Sequence, residues 1–349
     1  MIDAIAGAVG TAHLLDVDPD PDHNRAVVSV AGSRAKLSEA LMAAVAVAAQ
    51  RIDLSAHRGV HPRVGAADVV PIVPLASTTL DECRDLAREI GGRIWSELRL
   101  PVYFYGHGTE RTLADIRAGR ATPDLGGGSP LPAAGAVCVG ARPVLIAFNV
   151  LLPDCDLAAA RALTRSLRES AGGMQGVQAL LFELPGRRIQ LSMNLRRPGE
   201  TRPADVVEAL AARGVVVGQQ ELVGLCPARY SGAFAAGRLL EARLAAAAAR
   251  AGSTRCMALG GEEHTALGVR LATEAAALHD LGVGQAELLA GAERAGALPS
   301  VLRAATVLDG ELLAMLDVAS RGLRAALTGE TEEAYPARIA ALDRRLADL

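Results

Sequence analysis

The 349-residue sequence predicts an α+β protein of two mixed strand-and-helix units followed by a helical extension. Three observations predict it. Short apolar runs with strand character alternate with longer Ala- and Leu-rich helical runs as far as Val217. Gly- and Pro-rich connections punctuate those runs. From Ala233 onward the chain is Ala/Leu-rich and interrupted only at Gly252-Ser253, Gly260-Gly261, Gly282 to Gly284, Pro299 and Gly310, which reads as four to six packed helices. Half of the residues are apolar, enough to fill the cores of two or three domains.

The elements follow in order. Ile2 to Val9 reads as a short apolar helix, and Leu14 to Asp18 as a strand. The Asp- and Pro-rich segment Pro19 to Arg25 turns the chain into a return strand, Ala26 to Val30. Lys36 to Arg51 is a long helix whose many alanines suit close packing on a sheet. Val69 to Leu75 is the next strand. Thr79 with Glu82 forms a capping box opening a helix to about Glu97, and Pro101 to Tyr105 is a strand. A short helix, Thr112 to Arg117, closes this half.

The second half is more regular. Val144 to Leu152 is a strand and Leu157 to Glu169 an amphipathic helix; Val177 to Leu184 and Ile189 to Leu195 form a hairpin through Pro185-Gly186. Pro203 opens a helix, Gly214 lies just past its end, and Val215 to Val217 is the expected closing strand. The order β-α-β-β-α-β is the ferredoxin-like split unit. The first half reads as the same unit with its opening strand missing, because the helix at residue 2 has no strand to cross over from. The native chain is therefore expected to begin upstream of Met1, or this half to be one strand short.

Charge and cysteines bound the function. A formal net charge of −3 gives no electrostatic case for nucleic acid or an anionic membrane, and 3% aromatic residues supply no base-stacking platform. Cys83, Cys138, Cys155, Cys226 and Cys256 include no CxxC pair and read as reduced packing residues of a cytoplasmic protein. No leader-like N-terminus and no apolar run of membrane-spanning length is evident, so no membrane partner is expected.

Two loops carry the candidate chemistry. Between the long helix and its following strand, Ile52 to Pro71 gathers His57, Arg58, His61, Arg63 and Asp68. Pro62 cannot donate a backbone hydrogen bond, and Gly59 and Gly65 flank it, so this is a shaped loop. His57 and His61 have the spacing of a helical zinc pair, but Gly59 and Pro62 oppose a helix and no third ligand is evident; no metal is expected. Two readings remain open: a structural loop whose histidines bond the backbone, or an acid/base loop in which an imidazole titrates near neutrality beside carboxylate-binding guanidiniums. The second loop, Pro123 to Gly135, is either a flexible linker or a backbone cradle for a ligand, since Gly lets main-chain N–H groups approach closely. It has no Walker A or dinucleotide context.

A series of ordered words resembles the formiminotransferase family, the glutamate formimidoyltransferases: Leu14-Leu15-Asp16-Val17-Asp18, His23-Asn24-Arg25, Ile52-Asp53-Leu54, and His57-x-Gly59-x-His61-Pro62-Arg63-x-Gly65-Ala66-x-Asp68-Val69. They continue with Pro101-Val102-Tyr103, Ile116-Arg117-Ala118-Gly119, Pro123-Asp124-x-Gly126, Gly140-Ala141-Arg142, Leu145 to Asn149, Ser192-x-Asn194-Leu195, and Glu221-Leu222-Val223-Gly224-Leu225-x-Pro227. Together they span about residues 1 to 250. Three departures stand beside them: the family's opening strand with its Asn-x-Ser-Glu-Gly word is absent, Val60 replaces an acidic residue, and the segment from Gly119 to Pro123 is short. The tail shows no Gly-rich cyclodeaminase signature.

The resemblance implies formimidoyl transfer between 5-formimidoyltetrahydrofolate and L-glutamate in histidine degradation, by a cytoplasmic homodimer. It implies two α+β subdomains, here 1–142 and 143–252, around a folate tunnel, leaving 253–349 as a helical extension of unassigned role. Tetrahydrofolate would be a co-substrate. The family's catalytic histidine falls on His61, and its folate-contacting loop on Gly126, Gly127, Gly128, Ser129, Pro130, Leu131, Pro132, Ala133, Ala134 and Gly135. Beyond what the family assigns, Arg63 and Arg142 are the first candidates to hold substrate carboxylates, with Arg25 and Arg168 behind them. His57 is a candidate to orient the loop, and Asp68 to hold an imidazole or an arginine. Two other functions compete: a folate-binding relative without turnover, and a one-carbon transferase with another donor or acceptor.

Overall fold

The computed structural model describes residues 1–75, 78–128, 131–232 and 237–258, together with Glu311, Met315 and Val318. They divide into two compact units, Met1–Leu145 with Leu181–Gln190, and Ile146–Leu180 with the residues from Leu191 onward.

The first unit opens with helix α1 (Ile2–Gly7) and the antiparallel pair β1 (His13–Asp20) and β2 (Arg25–Ala31). The turn between the strands passes through Asn24 at φ 48°, a left-handed conformation that asparagine tolerates better than most residues. Helix α2 (Arg34–Arg51) covers this ribbon, burying Ala40 with Val9 and Ala12 against Leu14 and Val30. Its small residues let helix and strands approach closely.

Next come β3 (Val69–Ile72), α3 (Leu80–Arg93), β4 (Val102–Gly106), α4 (Leu113–Arg117) and β5 (Val137–Ala141). The Thr79–Glu82 capping box opens α3 as expected, and a π-helical turn over Ile94–Leu98 carries the helix on to left-handed Arg99. The three strands form an all-parallel sheet in the order β3-β5-β4, with Val139 paired to Val70 on one side and Phe104 on the other. Ile90 and Ile94 are fully buried with Val102, Val137 and Val139, and each side chain of that size contributes about 1.5–3 kcal/mol of burial. Met42 and Val45 of α2 join the same core.

Two features of this unit differ from the expectation. Strand β5 was not legible as a strand: every one of its residues is buried, so it lacks the alternation of a half-exposed strand and runs on from the loop before it. The strands also do not make one split sheet, because β1-β2 and β3-β5-β4 are separate. In a split unit the opening strand runs between the third and fourth strands; no strand precedes α1 among the described residues, so β2 and β3 share no neighbour.

The chain continues with β6 (Ile146–Leu151), α5 (Leu157–Leu167), β7 (Val177–Leu184), β8 (Arg188–Leu195), α6 (Pro203–Ala211) and β9 (Gln220–Val223), with strand order β7-β8-β6-β9; these form the second unit except for the hairpin tip Leu181–Gln190, which belongs to the first. Asp156 caps α5 by accepting from Ala158 and Ala159 N–H groups. The tip of the β7–β8 hairpin turns at Pro185–Arg187, where Gly186 has φ 76°. The closing strand lies later than Val215 to Val217. Val215 N–H is taken by the Leu210 carbonyl at the end of α6 and Val216 is 53% exposed, so the valine run is a connection and Gln220–Val223 pairs with β6 instead.

Short helix α7 (Ala228–Ser231) and helix α8 (Leu240–Ala258) follow, joined by the Glu241 carboxylate accepting from Ala228 N–H at 2.9 Å. Burial raises the pKa of this carboxyl. The helical extension expected over 253–349 lies outside the described residues beyond Ala258, save three isolated positions. Cys83, Cys138, Cys155 and Cys226 are free thiols, and burial pushes Cys138 and Cys226 up to about 12, as inert packing residues require.

Candidate active site

Helix α2 closes with Ile52 N–H on the Ala48 carbonyl, and the chain then turns into the connection that carries His57, His61 and Arg63. This connection is zipped to the return leg of the glycine-rich loop. Leu54 N–H donates to Ala133 O at 2.9 Å, Ala66 N–H to Ala134 O at 2.8 Å, and Ala136 N–H to Val64 O at 2.9 Å. The two backbones meet at Gly65 and Gly135. A Cβ on Gly65 would stand 1.7 Å from the Ala136 carbonyl oxygen, and one on Gly135 2.2 Å from that of Val64. Gly135 also has φ 72°, so only glycine fits this crossing.

The connection is stitched equally firmly to the β1–β2 turn. His57 Nε2 donates to the Asn24 carbonyl at 2.9 Å, and Asn24 Nδ2 donates back to the Arg58 carbonyl at 2.6 Å. Arg63 reaches the His61 carbonyl through Nε at 3.2 Å and Nη2 at 3.1 Å, the His23 carbonyl through Nη2 at 3.3 Å and the Asn24 carbonyl through Nη1 at 3.4 Å. Gly59 allows the approach, since a Cβ there would lie 2.5 Å from the His23 carbonyl oxygen. Arg63, expected to face a substrate carboxylate, thus turns its guanidinium toward main-chain carbonyls. His57, a candidate to orient the loop, holds it to the β1–β2 turn through this one hydrogen bond.

His61 is half-buried at the tip. Its Nδ1 lies 2.9 Å from the Pro62 carbonyl oxygen; a carbonyl only accepts, so the proton sits on Nδ1 and the lone pair on Nε2. Burial, then the nearby guanidiniums of Arg25 and Arg117, push its pKa down to about 4 against the opposing pull of the Pro62 carbonyl and Asp68. The ring is therefore a neutral proton acceptor at physiological pH. Asp68 accepts from Val64 N–H at 2.6 Å and from Arg117 Nη2 at 2.7 Å.

Arg25 differs from Arg63 and Arg117 among the described residues. Burial lowers its pKa, Asp68 and Asp20 attract its charge, and Arg117 and Arg63 repel it. No hydrogen bond or ion pair joins its guanidinium to another described residue. Arg142, at the end of β5, donates to the Pro143 carbonyl at 3.0 Å and lies beside Tyr105. No hydrogen bond or ion pair among the described residues links it to His61.

A second imidazole stands behind the first. His23 is 3% exposed and anchored by Asp20, whose carboxylate accepts hydrogen bonds from its Nδ1–H and its backbone N–H. Its Nε2 is buried and has no hydrogen-bond partner among the described residues. Leaving such a group unmet costs about 1–3 kcal/mol, which marks a place for a ligand or water. The His23 ring is T-shaped to His61 with centroids 6.0 Å apart, and Phe182 packs on both rings at 5.0 and 5.4 Å.

The glycine-rich loop opens at Gly126, where φ is 76° and a Cβ would meet the Trp95 ring at 2.5 Å. Gly127, Gly128, Leu131, Pro132 and Ala133 are exposed, Ala134 is buried, and Ser129 and Pro130 lie outside the described residues. Asp124 fixes the entrance by accepting from Phe104 N–H at 2.8 Å and from Arg111. Among the described residues no group of three or more His, Cys, Asp or Glu is gathered as a metal site.

Sequence reasoning did not assign roles to His23, Asp20, Arg117 or Phe182. His23 and Arg117 lay within quoted words, but Phe182 arrives from a strand more than a hundred residues away and carried no signal.

The family model of the formiminotransferase domain, N-terminal subdomain, matches residues 1–142. The glutamate formimidoyltransferase of Thermoplasma acidophilum is 39% identical over 248 residues, covering 64% of this chain and 81% of the relative. The chain belongs to the formimidoyltransferase family. The glutamate formimidoyltransferase of Streptococcus pyogenes serotype M1 is 34% identical over 65% of this chain and 83% of its own length. The formimidoyltransferase-cyclodeaminase of Rattus norvegicus is 36% identical over 65% of this chain, which spans 47% of that longer protein. The stretch matched by the formiminotransferase model contains the His61 connection, the glycine-rich loop, Asp20, His23, Arg25 and Arg117.

Proposed function

We propose that this chain is a one-carbon transferase that moves the formimidoyl group between 5-formimidoyltetrahydrofolate and L-glutamate, with tetrahydrofolate as co-substrate in histidine degradation. The observation that carries the proposal is the lone pair of neutral His61 beside the unpaired Arg25 cation, on a connection zipped to the glycine-rich loop.

The chemistry asks for those parts. Glutamate attacks the formimidoyl carbon through nitrogen, and its ammonium must first lose a proton. His61 Nε2 takes that proton and returns it to N5 of the folate as the carbon–N5 bond breaks. Glutamate brings two carboxylates, for which Arg25 is the best-placed guanidinium, with Arg142 a second candidate; charge-assisted pairing fixes the amine for attack. Arg63, His57 and Asp68 hold the connection in shape. The folate lies along Gly126 to Gly135, where exposed glycines let main-chain N–H groups approach a planar ring closely.

The strand order β7-β8-β6-β9, with chain order β6-α5-β7-β8-α6-β9, supports reading residues 143–252 as the ferredoxin-like subdomain of such an enzyme. We further propose a homodimer in the cytoplasm. No helix among the described residues is long and apolar enough to cross a membrane.

The test is transfer from N-formimidoyl-L-glutamate to tetrahydrofolate by wild type and His61→Ala side by side. A loss of about 100-fold or more in the variant supports His61 as the acid/base. Equal turnover by both rejects that role. Folate binding without turnover by either protein assigns the chain to a relative that binds and does not react.

A further inference from the structure

Resting on the transferase reading, a count of protons asks for more than His61 can carry. Glutamate enters as –NH3⁺ and leaves as –NH– bonded to the formimidoyl carbon, so its nitrogen sheds two protons as the new C–N bond forms. One of them ends on N5 of the folate when the carbon–N5 bond breaks, and the other is released to solvent. The reverse direction takes the same two protons up. One imidazole lone pair holds one proton at a time.

We propose that His23, backed by Asp20, is the second proton-carrying residue of this site, accepting through Nε2 the proton that is not returned to the folate. The Asp20 carboxylate only accepts, so Nδ1 of His23 carries a proton and Nε2 is left as the nitrogen that can exchange one. Asp20 is thus an orienting carboxylate behind the imidazole and stabilises the ring once it is protonated. That Nε2 is buried and without a partner among the described residues, in a ring 3% exposed, while His61 stands edge-on at 6.0 Å and Phe182 seals both rings on one side. A buried ring nitrogen without a partner, on an imidazole whose other nitrogen is fixed by a carboxylate, is placed to pass a proton. A ring kept only for packing would need neither the carboxylate nor a buried nitrogen without a partner.

The experiment compares wild type, His23→Gln and Asp20→Asn of the full chain in single-turnover formimidoyl transfer, recorded over a series of deuterium fractions in the solvent. Gln preserves a donor to Asp20 and the approximate volume, so the fold is kept; thermal unfolding checks this. The expected result is a fall of about 100-fold in rate for His23→Gln with folate and formimidoylglutamate affinities little changed. Wild type should show a curved dependence of rate on deuterium fraction, the mark of two protons in flight, and His23→Gln a straight line. A His23→Gln variant that keeps the wild-type rate, or slows while keeping the curvature, overturns the proposal and leaves the transferase reading standing. Wild type without turnover overturns the reading and this proposal with it.

Discussion

The guanidinium of Arg63 donates twice to the main-chain carbonyl of His61, from Nε at 3.2 Å and Nη2 at 3.1 Å. Arg63, a candidate for a substrate carboxylate, is thus a strut under His61. Arg63→Ala is expected to lower stability by about 1.5–3 kcal/mol, the range for hydrogen bonds to a charged group, and to lower kcat through a loosened His61. The KM for glutamate should change little. A selective rise in that KM, with stability and kcat intact, would show the guanidinium serving the substrate.

Arg25 has the opposite profile. Its guanidinium has no described partner, so Arg25→Gln should leave the melting temperature nearly unchanged while raising KM for glutamate by about 10-fold or more, since a charge-assisted pair is lost. Equal KM values in steady-state assays would sink this assignment.

The same guanidinium sets a pH dependence. His61 is held at about 4, below its ordinary 6.5, by burial first and by Arg25 and Arg117 next, with Asp68 and the Pro62 carbonyl opposing. A folded pKa below the unfolded one means the stabilising contribution is fully present above about 6.5 and is lost as pH falls through about 4. NMR titration of the imidazole should find it neutral at pH 5 in the wild type. In Arg25→Gln its midpoint should move upward, toward 6.5.

Asp68 and Arg117 form a largely buried pair, with side chains 18% and 17% exposed. Asp68→Ala strands that cation and frees Val64 N–H, and should cost about 3 kcal/mol in denaturant unfolding. Removing Arg117 in the same protein should recover part of the loss, because the double variant buries no unpaired charge. Strict additivity of the two substitutions would contradict this account.

The glycines of the Pro123 to Gly135 loop separate into two kinds. Gly128→Ala has open space around its Cβ and a φ of 88°, so it should cost only about 1–2 kcal/mol of backbone strain. Gly135→Ala adds a collision with the Val64 carbonyl to the same strain, and should cost about 3 kcal/mol or more and abolish turnover. Thermal unfolding and activity of the two proteins, side by side, check the contrast.

Much of this architecture could be read from residue order. The Thr79–Glu82 capping box, the hairpin at Pro185-Gly186 and the Pro203 helix start are local signals, and each produced its element. Strand β5 was hidden because a strand buried on both faces has no alternation to detect. Val215 to Val217 misled for the converse reason: β-branched composition is only a preference, and the exposed Val216 shows that packing decided against it. At the candidate site, Pro62 and the flanking glycines announced a shaped loop. Which guanidinium was free and which was spent on carbonyls depended on contacts such as Arg63 with His23, forty positions apart in the chain.

The stitches that hold the His61 connection, to itself and to the β1–β2 turn, include the main-chain oxygens of His23, Asn24, Arg58 and His61. A carbonyl is supplied by any residue. Positions 58 and 61 can therefore exchange their side chains without severing the links that shape the connection, whereas the donors His57, Arg63 and Asn24 cannot. Such a scaffold is free to try new chemistry at its rim while its geometry is inherited unchanged, which is the property a lineage needs to retune its substrates and a designer needs to reprogram them.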